Sequence, residues 1–305
     1  MAFKSGFIAI VGRPNAGKST LVNTLVGKKV SIVSPKPQTT RGRVQGILNR
    51  DGAQIVLVDT PGIHKPENVL NRQMMDELNH AIEGIDVLCL IVDASARPGP
   101  GDKFALEWIR RFRGPVFLLL NKVDQIKKPH LLPIIERYSR DFQFAEIFPI
   151  SALSGEGCMD LVNAWTARIP ESEAIYPEDQ FTDQPERYLA AEIIREKAID
   201  ITREEVPHAL AVIVGSFEEE RDLIRIRATV LVEREGQKGI IIGKRGETIK
   251  KIGTEARKEI ESILGSKVFL ETTVQVKANW RQNASIVKQL DWRRQLEQLS
   301  ESQEQ

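Results

Sequence analysis

Cysteine is nearly absent: Cys89 and Cys158 are the two in 305 residues, and neither belongs to a metal-binding or redox spacing. That excludes a disulfide-dense scaffold. The count alone leaves one disulfide open, but two idle thiols in a reducing compartment are the expected reading. Long apolar runs are missing as well. The segment Met1–Gly6 leads directly into Phe7–Val11, too short for the core and cleavage region of a signal peptide. The longest run elsewhere is Val87–Val92, far below the ~20 residues a membrane helix requires. A soluble, cytoplasmic protein is therefore expected. Charge of one sign is also lacking, with a net of +1, so any nucleic-acid partner must be argued from a local patch. Aromatics make up 6% and do not interleave with a basic stretch, which argues against a broad base-stacking platform. There is no internal repeat and no low-complexity segment.

What is present is length enough for two domains and the composition of a globular protein, 41% hydrophobic and 28% charged. Over residues 1–168, Gly6–Val11, Ala53–Val58, Asp86–Val92, Val116–Leu120 and Glu146–Ile150 are short apolar runs separated by helix-length mixtures. Such runs read as strands buried on both faces, hence an α/β domain with a mostly parallel sheet and helices on both sides. Its functional loops should lie at the carboxyl ends of the strands. Residues 169–184 hold Pro170, Pro177 and acidic residues without apolar period, and read as a proline-stiffened linker. Residues 185–278 follow the order helix (Pro185–Thr202), strand (Leu210–Ser216), strand (Leu223–Val232), two helices and strand (Lys267–Val276), a smaller α+β domain. The tail, 279–305, places Ile286, Val287, Leu290 and Leu296 at helical spacing and is expected to dock as a helix. Trp280, Trp292 and Arg281 read as core or docking residues rather than stacking groups.

Gly12-Arg13-Pro14-Asn15-Ala16-Gly17-Lys18-Ser19 fits G-x-x-x-x-G-K-S/T between a strand and a helix. The glycines allow the backbone to wrap phosphate oxygens, and the helix N-terminus adds partial positive charge. Lys18 is expected to reach the β- and γ-phosphates and Ser19 to ligate Mg²⁺, with Gly12, Asn15, Ala16, Gly17 and Thr20 completing this P-loop. Asp59-Thr60-Pro61-Gly62 ends the next strand, so Asp59 is placed for the metal and the Gly62 amide for the γ-phosphate. Between them, Ser31–Arg43 has no regular period and suits a switch that orders around the γ-phosphate. Thr40 is the candidate second hydroxyl ligand, with Thr39 as the fallback.

Asn121-Lys122-Val123-Asp124 and Ser151-Ala152-Leu153 follow the last two strands. Guanine presents N1–H and N2–H₂ side by side, so one carboxylate, Asp124, accepts both. Adenine lacks the pair, and a site built this way rejects such an analogue, often by ~10⁴-fold. Asn121 is expected near N7, bracing the neighbouring loops. The Lys122 stem would lie over the ring, and the Ala152 amide would donate to O6. The nucleotide is therefore GTP, with Lys18, Thr40 and Gly62 as the groups serving hydrolysis. A water-orienting glutamine is missing: Ile63 follows Gly62, and His64 reads as a solvated loop residue. Asn15 offers another route, a side-chain carbonyl that helps hold K⁺ against the phosphates; the competing reading is a turn-stabilising asparagine.

In the second domain, Gly243-Lys244-Arg245-Gly246 is a G-x-x-G loop between two helices. It lets a nucleic-acid backbone approach, with Lys238, Gly239, Ile240, Ile241, Ile242 and Thr248 around it and an apolar groove expected from the three isoleucines. From Lys238 to Lys258, seven basic residues stand against Glu247 and Glu255, a local excess hidden in the whole-chain total. Single-stranded RNA is the expected ligand. A phosphotransferase would need a substrate pocket and a positioned base, and neither is evident. An RNA-binding module with a mainly structural nucleotide site is opposed by intact Lys18, Ser19 and Asp59.

The combination of Gly12–Ser19, Thr39-Thr40-Arg41, Asp59–Gly62, Asn121–Asp124, Ser151–Leu153 and Gly243–Gly246 resembles the Era family of bacterial GTPases, over nearly the whole chain. The resemblance implies a G domain followed by a type II K-homology domain. It implies binding to the 3′ end of 16S ribosomal RNA during small-subunit assembly, and RNA access altered by GTP through the switches and linker. It also implies peripheral association with the cell membrane; Mg²⁺ dependence, slow intrinsic turnover and a monomeric state are expected. Ile63 is consistent with the family.

Overall fold

The computed structural model describes residues 2–36, 39–202, 206 and 209–293. The chain divides into two compact units, one ending at Asp183 and the other beginning at Gln184, with the short stretch 67–72 grouped with the second.

In the first unit, β1 (Lys4–Val11), β3 (Ala53–Asp59), β4 (Val87–Asp93), β5 (Val116–Asn121) and β6 (Glu146–Pro149) are parallel, in the order β3-β1-β4-β5-β6. Alternate residues face opposite cores. Ile8, Ile10, Ile55 and Phe117 pack with Leu21, Leu161 and Trp165 of α1 (Lys18–Val26) and α5 (Cys158–Arg168). Ala9, Val11, Leu88 and Leu118 pack with Leu78, Ile109 and Tyr138 of α2 (Val69–His80), α3 (Pro100–Ile109) and α4 (Leu131–Asp141). Burial on both faces explains why these strands read as unbroken apolar runs. Cys89 and Cys158 are buried and free.

A sixth strand, β2 (Val44–Arg50), adds an antiparallel edge, pairing Val44↔Asp59 through Arg50↔Ala53. It escaped the apolar-run criterion because Gln45, Asn49 and Arg50 make it half polar. Its signal was Asp51-Gly52, a two-residue hairpin turn with Gly52 at φ +73°.

The segment expected to be a linker is instead strapped to this sheet's edge. Ser5 N–H donates to Pro170 O (3.2 Å), Ile47 N–H to Phe181 O (2.9 Å), and Thr182 Oγ1 to Gln45 O (2.8 Å). Gln54, buried on β3, accepts from the Ile175 and Tyr176 amides (2.8 Å each) and donates to Tyr176 O (2.8 Å). Edge strands leave backbone groups unpaired, and a polar segment with no period of its own satisfies them.

The second unit runs α6 (Glu186–Thr202), β7 (Ala211–Glu220), β8 (Leu223–Val232), α7 (Glu235–Ile242), α8 (Glu247–Leu264) and β9 (Lys267–Val276). The sheet order is β7-β8-β9, antiparallel then parallel. β7 extends four residues beyond the expected Ser216, past a bulge between Val214 and Ser216. The acidic stretch after Ser216 continues the strand, where Glu218 and Glu220 pair with Arg227 (3.1 Å) and Arg225 (2.8 Å) across the ladder. After β9, Trp280 is fully buried, its Nε1 donating to Ala209 O (2.8 Å), and Arg281 pairs with Glu233 (2.6 Å). The tail forms α9 (Ala284–Gln289), capped by Asn283, and the Trp292 ring packs tilted against Tyr188. Leu296 lies outside the described residues.

Candidate functional site

The phosphate loop leaves β1 at Val11 and turns through two left-handed residues, Asn15 (φ +63°) and Gly17 (φ +101°), before α1 starts at Lys18. A Cβ on Gly17 would overlap Asn121 Nδ2, so no other residue fits there. The loop borders a cavity of about 410 Å³ that is also lined by Thr20, Ser34, Thr40, Gly62 and Lys122. Lys18 is buried beneath it, Nζ donating to Gly12 O (3.3 Å) and Arg13 O (3.0 Å). Burial pulls the ammonium down from its ordinary value to about 8, with Asp59 acting in the opposite direction.

Three oxygens converge beside Lys18. Ser19 Oγ is 2.7 Å from Asp59 Oδ2 and 3.0 Å from Thr40 Oγ1, which is 3.4 Å from the same carboxylate oxygen. Asp59 is completely buried and its Oδ1 has no hydrogen-bond partner among the described residues. Burial raises its pKa, while Lys18 and the surrounding hydroxyls pull the other way. A buried carboxylate oxygen without a partner, flanked by two hydroxyls, is a hard-oxygen donor set suited to Mg²⁺. Thr39 does not join it, because its hydroxyl donates to Lys36 O (2.6 Å).

Gly62 abuts Pro14, and the Ile63 amide donates to Gly12 O (3.0 Å), tying the Asp59–Gly62 turn to the phosphate loop. Ile63 is a core residue, which explains its apolar side chain at a position where a glutamine would orient water. His64 is not the solvated residue expected. It is half-buried, its Nδ1 lies 2.6 Å from Gly62 O, and its Nε2 is buried with no hydrogen-bond partner among the described residues. Asn15 reaches across the pocket mouth, donating from Nδ2 to Pro35 O (2.6 Å).

On the base side, Asn121 braces two loops: its Nδ2 donates to Ala16 O (2.8 Å) and its Oδ1 accepts from the Ala152 amide (2.8 Å). The Ala152 amide, expected to donate to guanine O6, here donates to Asn121. The adjacent Leu153 amide makes no hydrogen bond among the described residues, and its side chain is 78% exposed. The Ser151 hydroxyl accepts from the Ser154 amide (3.2 Å) and so shapes this turn, while Asp124 is exposed. Lys122 sits at φ +68° with Nζ 2.6 Å from Asp93 Oδ2. Asp93 is a residue that sequence reasoning missed. Its signal was its place, an acidic residue closing an apolar strand as Asp59 does. Burial opposes its ionisation, but hydrogen bonds from Lys122 and Ser95 outweigh this and hold the carboxyl below its ordinary value.

In the second unit, α7 ends at Ile242 and the chain reverses through Gly243 (φ +71°), Arg245 (φ +53°) and Gly246 (φ +81°) into α8. A side chain at Gly243 would overlap Thr248 Oγ1. Lys244 and Arg245 are exposed, Lys238 and Thr248 half-buried, and Gly239 open to solvent. The three isoleucines do not form one groove. Ile241 is fully buried in the core, Ile240 is exposed and Ile242 half-buried, since a helix sends successive residues about 100° apart. The groove lies between α8 and β9, about 260 Å³, lined by Ile249, Lys250, Gly253, Thr254, Arg257, Leu270 and Thr272. Residues 20 apart in sequence meet there, so no local pattern marked it.

Comparisons with known proteins agree with this geometry. The family described as 50S ribosome-binding GTPase matches residues 7–122, and the KH domain family matches residues 205–281. A crystal structure of Era in complex with MgGDPNP and nucleotides 1506–1542 of 16S ribosomal RNA is 42% identical, covering 95% of this chain and 99% of its own, at a TM-score of 0.92. The chain belongs to the Era family. A variant of Aquifex aeolicus Era bound to GDP and AlF₄⁻ is also 42% identical over the same shares, at a TM-score of 0.90. The Era-family assignment accounts for both units at once: a GTPase domain with a mostly parallel sheet, followed by a smaller KH domain.

Proposed function

We propose that this Era-family protein hydrolyses GTP to GDP and phosphate and binds single-stranded RNA, the 3′ end of 16S ribosomal RNA, as a nucleotide-controlled factor in assembly of the 30S subunit. The observation that carries the reading is one pocket lined by Lys18, Ser19, Thr40 and Lys122, with the Asp59 carboxylate bonded to Ser19 and Thr40 and the Asn121 brace on Ala16 directly behind that lining.

Lys18 holds its proton toward the β- and γ-phosphates, and the left-handed turn at Gly17 aims the amides of the loop at their oxygens. Ser19, Thr40 and Asp59 would hold a magnesium ion, which would offset negative charge on the phosphates. The Gly62 amide faces the γ-phosphate that water attacks in line, forming one P–O bond as the bond to the β-phosphate oxygen breaks. With Ile63 in the core, no side chain at that position orients the water, and intrinsic turnover is slow. Asp124 accepts the two guanine donors, and the Leu153 amide is the donor suited to O6.

Replacing Asp124 with asparagine should turn guanine preference into xanthine preference, because xanthine presents an acceptor where guanine has its amine. Equilibrium binding of GTP, XTP and ATP to wild type and D124N reads this directly. A wild type that prefers ATP, or a D124N variant that still prefers GTP, refutes the base-reading assignment.

Asn15 belongs to the same proposal as a K⁺ ligand: Nδ2 is committed to Pro35 O, and Oδ1 faces no donor among the described residues. Turnover should be faster in K⁺ than in Na⁺, and Asn15→Ala should erase the difference; equal rates in the two salts remove the ion. The protein is further proposed to act as a monomer in the cytoplasm, with peripheral contact at the inner face of the membrane. Among the described residues no helix is long and apolar enough to cross a membrane.

A further inference from the structure

Asp93 lies outside the motifs that bind nucleotide, yet one of them ends on its carboxylate. It closes β4, where the parallel register sets it beside Asn121, and the Ala94 amide donates to Asn121 O (2.9 Å). Its two oxygens divide their work. Oδ1 accepts from the Ser95 amide (3.0 Å) and hydroxyl (2.5 Å), fixing the plane of the group. Oδ2 receives Lys122 Nζ at 2.6 Å. Arg13 Nη2, 3.9 Å away, is the weaker partner, since its Nη1 is drawn to the buried Asp102 at 3.4 Å. Lys122 is itself held at φ +68° and lines the nucleotide cavity.

A lysine stem has four rotatable bonds and loses much of their freedom when it packs against a flat ring. Tethering the ammonium beforehand removes that loss from the binding step. We infer that Asp93 is a positioning residue for the guanine nucleotide: by gripping Lys122 Nζ at 2.6 Å it holds the aliphatic stem stretched across the base pocket, and so sets how long the nucleotide stays bound. This rests on the reading of the pocket as a GTP site.

The substitution Asp93→Asn keeps the size of the side chain and an acceptor for Ser95 but removes the charge that holds Lys122. Lys122→Met keeps an unbranched stem without an ammonium. Release of fluorescent GDP is to be timed for wild type, D93N, K122M and the double variant, with GTP turnover measured alongside. D93N should release GDP about 3- to 5-fold faster, the upper range of a partly exposed ion pair with a short contact. The GTP KM should rise with it and kcat should change much less. In the K122M background, D93N should add less than about 2-fold, because its target is gone. Unchanged release in D93N overturns the inference. So does an equal effect with and without the Lys122 ammonium, which is what a merely structural role at the Ser95 turn would give. If D93N does not fold, Asp93→Ser enters the same cycle. Guanine over adenine preference of the wild type is measured in parallel. Its loss refutes the GTP site and the inference together, whereas its presence with a silent D93N refutes Asp93 alone.

Discussion

Lys18 and Asp59 are both charged side chains that burial works against, and each is drawn back toward its ionised form by the other. For Lys18 the balance leaves a value of about 8, so the cation opposes folding below that pH, and the opposition is relieved as pH rises toward the ordinary lysine value. Phosphate oxygens reverse the balance by favouring the cation. The bound form therefore takes up a proton that the free protein gives away above pH 8. Affinity for GDP should be flat below about pH 7.5 and fall above 8, by at most about one log unit per pH unit. Calorimetric titrations between pH 7 and 9, in two buffers of different ionisation heat, measure both the slope and the proton uptake. A pH-independent affinity with no uptake would mean that Lys18 stays charged in the free protein throughout.

At the scale of elements, the strap over residues 169–183 is held by hydrogen bonds more than by apolar packing. Gln54 is its central anchor, giving one bond to Tyr176 O and receiving two from the Ile175 and Tyr176 amides. An unmet buried amide costs about 1–3 kcal/mol. Gln54→Leu preserves bulk but strands these groups, and should lower the unfolding free energy by about 2–4 kcal/mol. Urea unfolding followed by fluorescence gives the cost, and limited proteolysis should begin between residues 169 and 183. A variant with wild-type midpoint and wild-type cleavage would show that the strap is held by its other contacts. The strap also pairs with β2, the strand that follows the switch segment, through Gln45 and Ile47.

At the scale of the whole molecule, a net charge of +1 describes neither unit's working surface. The stretch from Lys238 to Lys258 carries seven basic residues against two acidic ones, around the G-x-x-G turn and the α8–β9 groove. Binding of a single-stranded RNA should therefore weaken steeply with salt, with a slope of about −0.7 in log K per phosphate neutralised. Removing Lys244 and Arg245 together should flatten that slope by about 1.4, while Arg257→Ala, inside the groove, should weaken binding as well. Fluorescence anisotropy across a salt series tests both, and an unchanged slope in the double variant would place the phosphates elsewhere.

Much of this protein was determined by the sequence alone, because the relevant physics is local. A phosphate loop needs its glycines and lysine at fixed spacing, and doubly buried strands need unbroken Val, Ile and Leu. The order of motifs along the chain then names the nucleotide, and Gly243–Gly246 announces the second function. Only the tertiary structure decided the rest, since it depends on residues far apart meeting. Thr40 rather than Thr39 turns toward Ser19 and Asp59 because Lys36 O captures the other hydroxyl. The Ala152 amide is consumed by Asn121, 31 residues earlier. Ile241 turns into the core from α7, and Leu270 lines the groove because helix α8 meets β9 there. Asp93 grips Lys122 across two parallel strands, and a polar segment that reads as a linker becomes a strap because an edge strand offers it unpaired backbone. Spacing along the chain specifies what a loop can bind; which groups remain free to bind it is settled by the competition for hydrogen bonds in the folded molecule.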